Sequence, residues 1–201
     1  LKGADRRSLV HTLNMRASAI KVAKSMGKDY KDLNLIVAHL GGGLSISVHN
    51  KGRMVDIVAD DEGPFSPERA GGMPVRILLN LCYKHDRETV SKMLIGKGGL
   101  VSYLGTNDAR DVEKMIENGD EYAKLVYQAL AYQVAKSIGQ LATVVNGEVD
   151  GIILTGGMAH SKMLTGWIEE RVKFIAEVIV VPGENELEAL AMGGLRVLRG
   201  E

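Results

Sequence analysis

Residues 33–59 constrain the fold of this chain most. Leu33–Ala38 is a short apolar run rich in Leu, Val and Ile, as a buried strand is. His39-Leu40-Gly41-Gly42-Gly43 interrupts it, and Leu44-Ser45-Ile46-Ser47-Val48 then alternates apolar and polar residues, the period of a half-buried strand. Asn50-Lys51-Gly52 marks a turn, and Met54–Val58 returns as a third strand. The segment therefore reads as a three-stranded meander.

A meander has to bury at least one face, and the rest of the chain offers helices for that purpose. Leu9, Val10, Leu13, Ala17, Ile20 and Ala23 fall at helical spacing, which predicts an amphipathic helix over Arg6–Met26. Residues 60–73 hold two prolines and three glycines and read as an irregular loop. Helices are expected at Val75–Tyr83 and Glu88–Leu94, then from a cap at Asn107 or Asp108 to near Asn118. Asp120 to Val145 reads as one long helix with Ala123, Val126, Leu130, Val134, Ile138, Leu141 and Val145 on one stripe. Val149–Leu154 and Val178–Val181 read as strands, separated by a helix over His160–Ile175 and followed by one over Glu186–Leu198. Strands alternating with helices indicate an α/β layered fold, and the meander indicates a mixed sheet.

Composition narrows the function. The 201 residues balance 25 Lys and Arg against 25 Asp and Glu, so no global basic field exists to grip nucleic acid. The single cysteine, Cys82, excludes an internal disulfide and a multi-cysteine metal site, reads as a small core residue, and fits a reducing cytoplasm. No apolar run approaches the ~20 residues a bilayer needs. The chain opens on Leu1 without an apolar signal segment, so either its start is processed or it is a piece of something longer.

Glycine-rich turns occur at Gly41–Gly43, Gly71–Gly72, Gly96–Gly99 and Gly156–Gly157. Turns of this kind let backbone N–H groups approach a phosphate, although each alone is as well explained as a tight turn. Neither a P-loop nor a dinucleotide fingerprint fits: Lys97 is followed by Gly98, and Val101 stands where the last glycine of the latter belongs. His39, where the apolar run meets the glycines, is either a donor to a phosphoryl group or a core histidine. His11, on the first helix, is equally open. His49, His85 and His160 are expected to face solvent, and no histidine spacing suits zinc. Arg69 is either a phosphate or carboxylate clamp or the partner of the adjacent Glu68. Lys97 is a phosphate contact or a solvated loop residue, and Asn107, Asp108 and Arg110 touch ligand or cap a helix. Glu184, Glu186 and Glu188 approach a metal or simply favour the first turn of a helix. Tyr122, Val126 and Leu130 read as core.

Together these segments resemble the butyrate kinases of the acetate kinase family, in the actin/hexokinase/Hsp70-like superfamily. Val37–Gly43 with Ser45 resembles a phosphate-binding hairpin of that family, and Asp61–Arg69 the loop of its catalytic arginine. Gly96–Leu100 through Gly105–Arg110, Ile153–Ala159 (an adenosine motif) and Pro182–Ala191 extend the match over nearly the whole chain. The Asp-Glu-Gly-Pro-Phe stretch at 61–65 favours butyrate over acetate kinases. The resemblance implies a ribonuclease H-like mixed five-stranded sheet with flanking helices, one of the two domains of the superfamily. It implies residues 31–201 as a C-terminal nucleotide-binding domain, with 1–30 a helix belonging to or bridging toward a missing N-terminal domain. It implies transfer of a phosphoryl group from ATP to a short-chain carboxylate, reversibly, with Mg²⁺. By resemblance Arg69 and His11 are catalytic, His39 with Gly41, Gly42 and Gly43 binds ATP phosphates, and Gly156 and Gly157 pack on adenosine. Glu186 is the acid near Mg²⁺, with Glu184 the alternative. A cytoplasmic homo-oligomer is expected, little active as the isolated chain. The other readings are an acetate or propionate kinase, a sugar kinase of the same superfamily, and a non-catalytic nucleotide-binding module.

Overall fold

The computed structural model describes residue 3, residues 10–183, and residues 190–191, 193–195 and 198–200. Helix α1 (Thr12–Ser25) leads into the expected meander of β1 (Asn34–Leu40), β2 (Leu44–Asn50) and β3 (Arg53–Val58). After the loop at 59–74 come α2 (Val75–Lys84), α3 (Arg87–Leu94), α4 (Gly99–Leu104), α5 (Ala109–Glu117) and α6 (Glu121–Ala142). The chain closes with β4 (Gly151–Gly156), α7 (Lys162–Val172) and β5 (Val178–Pro182). Acidic and hydroxyl side chains start the helices as the sequence suggests. Asp108 accepts from the Arg110 N–H, Asp120 from those of Tyr122 and Ala123, and Ser161 from that of Leu164.

The sheet is mixed, in the order β3-β2-β1-β4-β5. The meander pairs antiparallel, while β4 lies parallel to β1 and β5 parallel to β4. Its register puts His39 opposite both Ser45 and Thr155, so the chain turns after β1 and β4 emerge side by side.

Alternation along the strands separates two cores. Ile36, Ala38, Leu40, Ile46, Val48, Ile152 and Leu154 are buried beneath α6, against Tyr127, Leu130, Val134 and Ile138. Leu35, Val37 and Ile153 point to the opposite face, where α1 covers them with Met15, Ala19, Val22 and Ala23. The register places His39, Ser45, Ser47, His49 and Thr155 on this second face, and all five are buried. The α6 side is therefore mainly apolar, with polar residues only toward the strand ends and on β3, and the other side is laced with buried polar groups.

Several expectations change. Helix α1 starts at Thr12, because His11 directs its ring to Ser45 instead of capping or continuing the helix; residues 4–9 lie outside the described residues. His49 is fully buried, not solvent-facing: β2 runs on to Asn50, and His49 bonds Tyr30 and Ser47. Cys82 is exposed, because α2 has no buried residue and no layer covers it among the described residues. Tyr122, at the first turn of α6, is also exposed, whereas Val126 and Leu130 are core. Helix α4 begins at the end of the expected Gly96–Gly99 turn, where the sequence suggests no helix; the N–H groups of Leu100 and Val101 donate to the carbonyls of Ser66 and Pro67, so a tertiary contact substitutes for a cap. The expected helix from His160 begins at Lys162, after a 3-10 turn over Gly157–His160. Most of the expected Glu186–Leu198 helix lies outside the described residues. Among the described residues no helix is long and apolar enough to cross a membrane.

Candidate active site

The parallel pairing of β1 and β4 brings two glycine turns together at their carboxyl ends, the position where open α/β sheets bind ligands. A cleft of about 600 Å³ opens there. Gly41, Gly42 and Pro67 form one wall, and Gly157, Met158, His160 and Ser161 another. Asn107–Arg110 and Glu113, at the start of α5, complete it. A Cβ built on Gly42 or Gly157 would meet no protein atom, so bare backbone faces open space where a phosphate or a base can approach. Gly156 has a different duty. Its φ is +93°, and a Cβ there would come within 2.5 Å of the Leu40 carbonyl oxygen, so glycine is what allows β4 to leave the sheet beside β1.

The other two glycine turns do not face the cleft. Cβ atoms on Gly98 and Gly99 would collide with the backbone of residues 66–70, and those on Gly71 and Gly72 with residues 62–65. These glycines let the loop carrying Arg69 fold tightly. That loop is fastened to the β1–β2 turn by one hydroxyl: Ser66 Oγ donates to the Gly42 carbonyl at 2.7 Å and accepts from the Arg69 N–H at 3.2 Å.

Arg69 lies against Gly43, where a Cβ would be 3.0 Å from its guanidinium carbon. Its ion-pair partner is Asp60 rather than the adjacent Glu68, which accepts from Asn107 instead. Gly43 thus gives its side-chain space to a cation. Arg69 lines a second cavity, of about 650 Å³, with Asp60–Glu62 and the apolar Met73, Leu78, Leu94 and Ile95.

His11 and His39 meet on the polar face of the sheet. Their rings stack with centroids 3.9 Å apart and planes at 21°. His11 Nδ1 is 3.1 Å from Ser45 Oγ. Burial, and secondarily the His11 charge, push His39 down to about 4. The His39 ring is thereby held toward its neutral form. His11 borders a third cavity, of about 310 Å³, with Val10, Thr12, Leu13, Asn14 and Leu190.

The structure thus gathers Gly41, Gly42 and Gly157 in one cleft, buttressed by Gly43 and Gly156. It places Arg69 and His11 in separate cavities, Arg69 beside Gly43 of the β1–β2 turn and His11 beside Ser45 of β2. Asp108 caps α5 by accepting from the Arg110 N–H, and both residues line the cleft; Asp108 is held at about 2, chiefly by the hydrogen bond from the Arg110 side chain. His160 is exposed as expected, yet it faces the cleft. Glu113 and Ser161, which bond each other, carried no signal in the sequence beyond the Ser161 cap. Lys97 is exposed and belongs to none of these three cavities. Glu184 and Glu186 lie outside the described residues. Among the described residues no three His, Cys, Asp or Glu groups cluster to hold a metal ion. The nearest carboxylate to Arg69, Asp60, is already engaged in its ion pair.

Residues 6–178 match the family model described as the Acetokinase family. Among solved structures, the acetate kinase of Porphyromonas gingivalis superposes with a TM-score of 0.88 at 24% identity, over 96% of this chain and 56% of that one. The acetate kinase of Entamoeba histolytica gives 0.83 at 23%, over 92% and 57%. A propionate kinase of Francisella tularensis gives 0.83 at 22%, over 92% and 54%. At these identities the likeness is one of fold, and this chain spans little more than half the length of the structures it matches.

Proposed function

This chain belongs to the acetokinase family, and from that premise we propose that it forms the nucleotide-binding part of an ATP-dependent carboxylate kinase. The single observation that supports this most is the cleft where Gly41, Gly42 and Gly157 present bare backbone beside Asp108 and Arg110. In this reading residues 31–201 are the nucleotide-binding domain, and residues 1–30 bridge toward a second domain that closes the site. The enzyme works as a cytoplasmic homo-oligomer, where ATP is supplied and Cys82 stays reduced.

The reaction follows from the groups present. A short carboxylic acid has a pKa near that of Glu, about 4.3, so it reaches the site already ionised and needs no general base. Its oxygen attacks the terminal phosphorus of ATP, the bond to the bridging oxygen breaks, and ADP leaves with that electron pair. Charge spreads over the equatorial oxygens as the phosphoryl group passes across. In our assignment Arg69 neutralises that charge and His11 donates a hydrogen bond to it. His39 and Gly41–Gly43 hold the ATP phosphates, and Gly156 and Gly157 define the adenosine side. Glu186, with Glu184 as its alternate, approaches Mg²⁺. The metal, when bound, supplies charge neutralisation between the phosphates. For the acceptor we propose butyrate or a branched analogue, on the resemblance of the 61–65 stretch; acetate and propionate are the competing substrates.

The test has two parts. ADP binding to the chain is measured by calorimetry beside Gly42→Leu, whose side chain enters the open cleft rather than protein. We expect at least a tenfold loss of affinity, about 1.4 kcal/mol, at unchanged thermal stability. Hydroxamate trapping of acyl phosphate with butyrate, isobutyrate, propionate and acetate then ranks the acceptors, with the intact mass of the active polypeptide recorded alongside. ADP binding indifferent to Gly42→Leu would sink the cleft assignment. A preference for acetate would sink the butyrate assignment alone.

A further inference from the structure

The two acids that line the glycine cleft are not equivalent. Both oxygens of Asp108 accept from the Arg110 guanidinium, so its charge is matched on the spot. Lys114, on the same helix, pairs with Asp111. Among the described residues no ion pair engages Glu113. Its carboxylate is held instead by the Ser161 hydroxyl. The direction of that bond is fixed, because a hydroxyl has one proton to give and two lone pairs to offer. The Leu164 N–H at 2.9 Å and the Tyr127 O–H at 3.3 Å both donate to Ser161 Oγ. The proton of Ser161 therefore goes to Glu113, which as a carboxylate can only accept. Tyr127 is fully buried on α6, Ser161 caps α7 and Glu113 belongs to α5, so three helices fix where this carboxylate sits.

An anchored carboxylate without a cation beside it repels phosphate. It accepts readily from a neutral group that carries O–H or N–H donors. In a nucleotide those donors belong to the nucleoside half: the ribose hydroxyls and the amino group of the base. We propose that Glu113 is a nucleoside-recognition residue, held in place by Ser161, that accepts a hydrogen bond from this neutral half and leaves the phosphates to the bare backbone of Gly41 and Gly42. This inference rests on the nucleotide reading of the cleft made above. It adds to that reading the residue that sets which way round the nucleotide lies.

Calorimetry of the chain with ADP, dideoxy-ADP lacking both ribose hydroxyls, and inosine diphosphate lacking the base amine reads the contact. One analogue should bind about tenfold more weakly than ADP, the loss expected for a hydrogen bond to a charged group. Weak binding of the dideoxy analogue assigns the ribose as donor, and weak binding of inosine diphosphate assigns the amine. Glu113→Ala should weaken ADP about tenfold and abolish that discrimination. Glu113→Gln keeps the volume and an acceptor for Ser161 but turns a donor toward the ligand, so it should do the same even if Glu113→Ala does not fold. The sign of the change is decisive, because an acid that merely faced the cleft would repel phosphate and its removal would tighten ADP. Glu117→Ala removes the same charge from an exposed position one turn along α5, outside the cleft lining, and should leave the discrimination intact. ADP tightened by the Glu113 substitutions, or a discrimination that is absent in the parent chain or survives in them, overturns the proposal. ADP binding indifferent to Gly42→Leu overturns the cleft reading on which it rests.

Discussion

The two faces of the sheet are built from the same strands and hold the chain in different ways. Under α6 the contacts are mainly Ile, Leu, Val and Ala, with Tyr127 and Phe65 among them. Under α1 a smaller apolar cluster is followed, residue by alternate residue, by His39, Ser45, Ser47, His49 and Thr155. The apolar face gains stability from area removed from water and tolerates no gap. The polar face depends on each donor finding an acceptor: Tyr30 O–H bonds His49 Nδ1 at 2.7 Å, and Ser47 the other ring nitrogen.

Acid should break the comparison most strongly. His39 and His49 are both lowered to about 4, each chiefly by burial, with His11 and Arg16 as the secondary causes. Between that value and their ordinary 6.5 the unfolded chain binds more protons than the folded one, so stability rises with pH and is lost on acidification through this window. Each histidine should remove about 3 kcal/mol by pH 4, read from urea midpoints between pH 7 and 4.5, and His49→Gln should flatten the curve. On the apolar face, Leu130→Ala should cost about 2–5 kcal/mol at pH 7 and leave the pH dependence untouched. Tyr30→Phe deprives buried His49 of its partner and should cost about 1–3 kcal/mol, reading the polar face at constant shape. The smallest effect is expected for Asp120→Ala, which removes the cap of α6 for about 1 kcal/mol without touching either core. Equal pH slopes for Leu130→Ala and His49→Gln would dissolve the distinction between the faces.

Much of this was legible in spacing alone. The second strand of the meander and the stripe of α6 follow from periods of two and 3.6, and β1, β4 and β5 from short apolar runs bounded by breakers. Which side a residue faces follows less well. His49 alternates correctly with Ser47 and Ser45, but a histidine beside a turn signal gives no hint that Tyr30 waits on the opposite side. Helix α2 shows the converse: its periodicity is real, yet Val75, Leu79 and Tyr83 are exposed, because amphipathic spacing cannot report whether a second layer exists. In the candidate site, the glycines at 41–43 and 156–157 were readable as a set. The pairing of Arg69 with Asp60 was not, since it depends on the folding of a loop whose neighbours in sequence offer Glu68 as a nearer acid. The sorting of four glycine turns into two that face the cleft and two that close a loop likewise needed the third dimension.

The turn between β1 and β2 lines the cleft through Gly41 and Gly42 and backs Arg69 through Gly43. Ser66 ties that turn to the arginine loop through the Gly42 carbonyl. A group bound in the cleft and one bound beside Arg69 would therefore press on the same few residues. For any two such ligands thermodynamic reciprocity fixes the outcome: the factor by which one alters the affinity for the other is the same in both directions.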